Sequence, residues 1–384
     1  MPIIISTVGG PTWASLAVAQ AIGSVFAVIV AFGWGVTGPG MIASAGEQFR
    51  HSIYADSIKV RLVLFGILAP VAVVVISSIA IREEAASSIY GLSMMVAALG
   101  GAWYFVGEKK PGRLILLEAL PRVFGVLIGT LILALGGSLL WFVLAQIVGA
   151  GVAASCSAAV ILRSSGKASA VRAKRFFPWY SLRDQISGVV TASTAALYVN
   201  APLIFVTLLV PGSAPMYAVA DKLMKLALAA YGPVTQVAQG AVGSEDRMLL
   251  RQRTIRAIRI SIPLALSLGI GFAMLLPFGV ALMSAGSVVT GFGLSAPLGI
   301  AFACIALSQV TGLACLVALG RSRVVAMSTV MGALVGLPLL IVGGTWLNVD
   351  GIAWAVATSE GIVVTLQLVV LSRILRLSRR IDDR

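Results

Sequence analysis

Three ionisable side chains, Asp221, Lys222 and Lys225, interrupt the apolar stretch MYAVADKLMKLALAAYGPV at 216–234. On a helix, Lys222 and Lys225 are three apart and share a face, while Asp221 and Lys225 are four apart and can pair. Two cations and one acid leave the stretch one net positive charge, a device for holding an anion. No acid stands three or four positions from Lys222. A second pair at helical spacing, Glu118 and Arg122, lies in the apolar run 112–134. The plainer reading of both pairs is that they satisfy themselves and only hold helices together. Glu360, in AVATSEGIVV, suits a coupling proton or sodium ion, or equally a hydrogen-bonded structural role. Asn200 and Tyr198, just before Pro202, are further polar candidates, whereas Trp103 and Tyr231 read as packing or interface aromatics.

Other chemistries lack their residues. The single histidine, His51, leaves no His-based metal cluster and argues against a serine-histidine-aspartate triad. Cys156, Cys304 and Cys315 lie inside apolar runs and read as small core residues. No metal site or cofactor is expected.

The elements that must position these groups are membrane helices. The chain has 384 residues, 59% hydrophobic and 11% charged, with a mean hydropathy of +1.02. A soluble domain of this length has too little interior for so much apolar side chain, and a bilayer has enough. The class is an all-α polytopic membrane protein. Runs long enough to cross occur at 12–44, 58–81, 84–107, 112–134, 138–162, 182–209, 213–243, 256–284, 292–318, 322–344 and 347–373, about eleven transmembrane helices. Internal prolines (Pro70, Pro121, Pro202, Pro233, Pro277 and Pro338) are expected to bend them.

Charge gives the orientation. Basic residues gather at Arg50, Lys59 and Arg61, at Lys109, Lys110 and Arg113, at 163–183, at 247–259, at Arg321 and Arg323, and at 373–384. The intervening loops carry one basic residue, Arg82. By the positive-inside rule the basic loops and the C-terminus face the cytoplasm. That rule accounts for most of the net +14 without any nucleic-acid partner. The outward loops are too short to hold an active site.

On this topology Lys222 and Lys225 lie about 15 and 20 Å from the outer end of their helix, and Arg122 about 15 Å from the inner end of its own. A lysine at mid-bilayer costs about 2.5–3.5 kcal/mol, so both depths need a reason.

GGPTWASLAVAQAIGS (9–24) aligns with VPGSAPMYAVADKLMK (210–225) at an offset of 201, which also sets Arg50 on Arg251. Both copies enter from outside, as parallel repeats do. The offset leaves the span 182–209 with only PIIIS as its counterpart. The expected plan is two pseudo-symmetric bundles around a central cavity, five spans plus six, with the first helix of a twelve-helix scheme missing. Its parts are an N-terminal bundle at 1–162, a basic cytoplasmic linker at 163–181, a C-terminal bundle at 182–373 and a tail at 374–384.

GAWYFVGEKKPGRLILLEALPRVFGVLIG (101–129) resembles the aromatic "G-E" turn and following basic helix of the polysaccharide-transporter, or O-antigen flippase, family. That family belongs to the multidrug/oligosaccharidyl-lipid/polysaccharide exporter superfamily. ALYVNAPLIFVTLLVPGSAPMYAVADKLMKL (196–226) is similar to its seventh-to-eighth helix passage, and GGPTWASLAVAQAIGSVFAVIVAFGWG (9–35) to its second helix. The resemblance implies two six-helix bundles flanking a cavity, and movement of polyprenyl-pyrophosphate-linked oligosaccharide across the cytoplasmic (inner) membrane. Glycosyltransferases and a polymerase of the same pathway would be its partners. Arg122, Lys222 and Lys225 would then grip the pyrophosphate, with Asp221 beside them, and Asn200 and Tyr198 would meet sugar hydroxyls. A drug or metabolite exporter would favour carboxylates in that cavity. A peptidoglycan-precursor flippase would want the same cations. An integral-membrane polymerase or acyltransferase would need catalytic groups that the sequence does not offer.

Overall fold

Lipid offers no partners to backbone N–H and C=O groups, so a chain this apolar closes its hydrogen bonds within helices. The computed structural model describes residues 2–163, 179–243 and 246–382, and these are helical with no strand among them. In chain order the helices are α1 (Pro2–Val8), α2 (Gly10–Ala31), α3 (Trp34–Ser44), α4 (Glu47–Ile79), α5 (Glu84–Ala97), α6 (Ala102–Gly107), α7 (Pro111–Leu114) and α8 (Leu120–Ala134). They continue with α9 (Leu139–Arg163), α10 (Trp179–Leu209), α11 (Ala214–Val242), α12 (Arg247–Met283), α13 (Phe292–Ser308) and α14 (Ser322–Asp382). A π-helical stretch joins α7 to α8 over Ile115–Ala119, and another extends α13 over Gln309–Leu316.

Nine stretches among the described residues are long and apolar enough to cross a membrane. The last, Ser322–Arg376, contains a break at Asn348 (φ 56°, ψ −143°) and so supplies two of the expected spans. The expected span at 213–243 is not one of the nine, although α11 covers it. Asp221, Lys222, Lys225, Gln236 and Gln239 dilute its apolar content. With α11 and the two parts of α14 counted, the eleven expected helices are present. α4 starts at Glu47 and not at the expected 58, because the polar residues before the apolar run continue its helix.

Prolines do not stop these helices. α4, α10, α11 and α12 continue past Pro70, Pro202, Pro233 and Pro277, and α14 past Pro338. The breaks fall instead where residues adopt the left-handed conformation that ends a helix. Phe32 (φ 46°) and Gly33 (φ 76°) separate α2 from α3.

The chain divides into two compact units, Ile3–Asn200 and Ala201–Arg384. In the first, α2 packs on α4 and α5, α5 on α9, and α8 on α9. In the second, α12 packs on α13, α13 on α14, and α11 on α12 and on the 309–316 stretch. Without a hydrophobic drive inside lipid, close packing comes from small residues. A Cβ on Gly23 would collide with the backbone of Gly91, so α2 and α5 meet backbone to backbone. Gly269 and Gly299 bring α12 and α13 together in the same way. Large apolar side chains such as Val63, Ile67, Leu131, Met274 and Phe278 are exposed, as lipid-facing residues are. α1 ends at Val8 and α10 at Leu209, 201 residues apart. The basic segment at 163–181 lies outside the described residues except for Arg163 and the first residues of α10.

Candidate functional site

α11 runs through the charged stretch without interruption, since nothing from Met216 to Tyr231 breaks a helix. Its buried positions include Tyr217, Ala218, Val219, Ala220 and Met224, and this apolar face holds the helix in its unit. Asp221 and Lys225 pair one turn apart, with Nζ 2.8 Å from Oδ2. The acid is the more enclosed partner, at 15% side-chain exposure against 35% for the lysine. Lys222 is half-buried beside them. The three groups stand together as their spacing requires, and the stretch carries one net positive charge.

The second predicted pair is built differently. Glu118 belongs to the 115–119 π-helical stretch and is 3% exposed. Its Oε2 accepts from Arg122 Nη2, and its Oε1 accepts from the Gly101 backbone N–H and from Ser157 Oγ (2.6 Å). Arg122 Nη2 also donates to the Ala97 carbonyl at 3.0 Å. These partners lie where the third span of the first unit is interrupted, between the end of α5 at Ala97 and the start of α6 at Ala102. An interruption orphans backbone groups, and inside a membrane protein side chains must satisfy them.

Arg61 completes this junction, and sequence reasoning missed it. Grouped with Arg50 and Lys59 it looked like loop charge. It lies 14 residues into α4, about 21 Å along the helix, and is 1% exposed. Its Nη1 donates to the carbonyls of Ala98 (3.0 Å) and Gly100 (2.8 Å), and its Nη2 to Ser57 Oγ (3.1 Å). Its Nε reaches the Ser57 carbonyl at 3.4 Å. The guanidinium also lies 5.7 Å from the ring centroids of both Tyr54 and Trp103. Trp103 packs as expected, 5.3 Å from Trp34 and 5.9 Å from Tyr54 between ring centroids. The signal available in the sequence was Tyr54, Ser57 and Arg61 on one helical face.

The remaining candidates are dispersed. Asn200 is 9% exposed, and its Nδ2 donates to the Ala196 carbonyl one turn back at 2.8 Å. Tyr198, on the same helix, is half-buried. Glu360 is half-buried on the second part of α14, close enough to Cys304 of α13 to act on its thiol electrostatically. Arg122 is in the first unit and Lys222, Lys225 and Glu360 in the second. Among the described residues no cluster of metal-ligating side chains occurs.

A second polar junction, also unforeseen, lies inside the second unit. Thr311, in the 309–316 stretch, donates to Gln367 Oε1 at 2.7 Å, and Gln367 Nε2 donates to Ser328 Oγ at 3.0 Å. Thr235 of α11 donates to Gln309 Oε1 at 2.9 Å. Every member is neutral.

No family model matches the sequence, and no curated protein is similar to it. Its fold has solved relatives. It is similar to a multidrug resistance MATE family transporter of the MOP superfamily in an inward-facing conformation, with a TM-score of 0.78 and 12% identity over 99% of this chain and 94% of the other. A MATE protein in the bent conformation gives a TM-score of 0.56 and 14% identity, covering 100% and 90%. The lipid II flippase MurJ in an inward closed conformation gives 0.53 and 11%, covering 96% and 86%. The likeness spans nearly the whole chain, and the chain has the two-bundle helical fold of the MATE and MurJ proteins.

Proposed function

We propose that this protein is a transporter that moves a polyprenyl-pyrophosphate-linked oligosaccharide across the cytoplasmic membrane by alternating access. The observation that carries the reading is the charged stretch of α11, in which two lysines and one aspartate stand two to three turns inside a helix that the sequence reads as membrane-spanning. Cations at that depth are costly, and they are tolerated where they face water or an anionic partner. A pyrophosphate is such a partner, and lysine ammonium groups bind phosphate oxygens through charge-assisted hydrogen bonds. Lys222 and Lys225 are the primary contacts. Arg122, in the first unit, is already engaged by Glu118 and the Ala97 carbonyl.

Around this contact Asn200 and Tyr198 meet sugar hydroxyls, and Glu360 takes the coupling proton or sodium ion. The lipid tail stays in the bilayer, and the partners are the glycosyltransferases and polymerase that make and extend the cargo. The basic loops and C-terminus face the cytoplasm. MurJ, named as a lipid II flippase, supports a lipid-linked cargo on this fold. A peptidoglycan precursor fits the same cations.

The test is translocation of a fluorescent polyprenyl-pyrophosphate oligosaccharide in proteoliposomes holding the full chain. Wild type should move it, and Lys222→Ala and Lys225→Ala should slow it at least tenfold. No transport by wild type, with drug efflux in its place, refutes the proposal. That outcome would establish a drug or metabolite exporter instead.

A further inference from the structure

The two polar junctions occupy equivalent places. One joins the third span of the first bundle (84–107), and the other the fourth span of the second (292–318), to the two spans that follow. Glu118 and Ser328 are 210 residues apart, and so are Ser157 and Gln367. A Cβ on Gly101 would lie 3.1 Å from Ser157 Cβ, and one on Gly312 would lie 3.2 Å from the Gln367 amide. The geometry is repeated but the chemistry is not.

In the first unit the third span is cut, and charged groups hold the ends. Arg61, Glu118 and Arg122 engage the carbonyls of Ala97, Ala98 and Gly100 and the N–H of Gly101. Moving such a junction means separating buried charges, which is strongly resisted. In the second unit the span is not cut but widened into a π-helical stretch, and neutral hydrogen bonds hold it. A π-helical stretch carries extra residue relative to an α-helix, so its return to α-helix turns the side chains beyond it by about 100° per residue removed. Neutral amide and hydroxyl bonds can exchange during such a turn at little cost.

The widened stretch also holds α11. Thr235, 5% exposed, bonds to Gln309, the first residue of the π-helical stretch. Thr235 lies two positions after Pro233, which removes one backbone hydrogen bond, and a Cβ on the neighbouring Gly232 would meet nothing within 4 Å. α11 is therefore weakest just above the point where it is tied down. Tyr231 stands at the same joint, 3% exposed, with a buried hydroxyl that has no hydrogen-bond partner.

We propose that Thr235 and Gln309 are positioning residues: a latch through which the π-helical stretch sets the bend of α11 at Gly232–Pro233 and so places Lys222 and Lys225. The cargo half of this statement rests on the proposed function above; the latch itself does not. The charged stretch ends eight residues above Pro233, about 12 Å along the helix, so a modest bend moves the ammonium groups by ångströms.

The test compares Thr235→Val, which removes the donor, with Thr235→Ser, which keeps it, in the full chain in nanodiscs. Amide exchange over 229–240 should rise at least tenfold in Thr235→Val and stay within twofold of wild type in Thr235→Ser. Exchange over 97–107, at the charged junction, should not change in either. In proteoliposomes Thr235→Val and Gln309→Leu should slow translocation of the lipid-linked pyrophosphate at least tenfold, with Thr235→Ser restoring it. Unchanged exchange in Thr235→Val overturns the latch, as does equal behaviour of the valine and serine variants. If wild type moves no lipid-linked pyrophosphate while exchange still responds to Thr235→Val, the latch stands and the cargo reading falls.

Discussion

Replacing Glu118 by alanine should unfold the first unit far more readily than replacing its counterpart Ser328 destabilises the second. Glu118 accepts from three donors: the Gly101 N–H, the Ser157 hydroxyl and Arg122. Truncation leaves all three facing a gap inside a membrane bundle, with two arginines and no acid at the junction. Removing one partner of a buried ion pair costs about 3–5 kcal/mol. Arg122 is 36% exposed, so part of its loss is recovered by solvation and the ion-pair share drops toward the bottom of that range. The orphaned Gly101 N–H adds about 1 kcal/mol or more. The sum expected for Glu118→Ala is about 3–4 kcal/mol. Ser328 accepts one hydrogen bond, from Gln367. Hydrogen bonds between membrane helices average about 0.6 kcal/mol, so Ser328→Ala should cost under about 1 kcal/mol.

The assay is unfolding free energy by steric trapping in bicelles, with one trap in each unit, so that each is read by itself. Glu118→Gln is the control: it keeps an acceptor for Gly101 and Ser157 while removing the charge, and it should fall between wild type and alanine. Equal destabilisation by Glu118→Ala and Ser328→Ala would show that charge contributes nothing special at this junction. Full stability in Glu118→Ala together with lost transport would refute the structural reading differently, by making Glu118 a working carboxylate.

Three further outcomes follow from named contacts. Arg61→Lys keeps the charge but cannot reach both carbonyls and Ser57 with one ammonium, so it should destabilise the first unit by about 2 kcal/mol, measured in the same trap. Lys225→Ala removes the ion-pair partner of Asp221 and should lower membrane abundance more than Lys222→Ala, as read by quantitative immunoblot of purified membranes. Pro233→Ala restores a backbone hydrogen bond at the α11 joint and should slow transport several-fold without lowering protein level; unchanged transport would remove the joint from the mechanism.

The fold was legible where a single physical requirement dominates. Twenty apolar residues must be a membrane helix, and the bounds of α9, and of α13 together with the 309–316 stretch, follow from that alone. Helix spacing also fixed both ion pairs, Asp221–Lys225 and Glu118–Arg122. Illegible were the features that depend on where backbone groups go when a helix is interrupted. Helices run through Pro70 and Pro277 and break instead at Phe32–Gly33 and Asn348, where no proline marks the place. Arg61 was misread for the same reason. Its partners, the carbonyls of Ala98 and Gly100, are about 40 residues away in sequence and carry no side-chain signature.

That misreading changes how buried charge in this chain should be interpreted. Every charged group at the first junction is accounted for by hydrogen bonds to an interrupted helix, and the second unit builds the same junction from threonine, serine and glutamine. A charge that a neutral twin can replace is serving rigidity, not only the existence of the junction. The charged stretch of α11 is built differently: the helix is continuous there, and Lys225 pairs with Asp221 one turn away rather than with carbonyls left open by a helix end. Exchanging Lys222, which is not in the Asp221–Lys225 ion pair, for glutamine should leave the unfolding free energy of the second unit within about 1 kcal/mol of wild type, while abolishing transport of the pyrophosphate-linked cargo. Loss of both together would place Lys222 with Arg61, among the groups that only hold the helices in place.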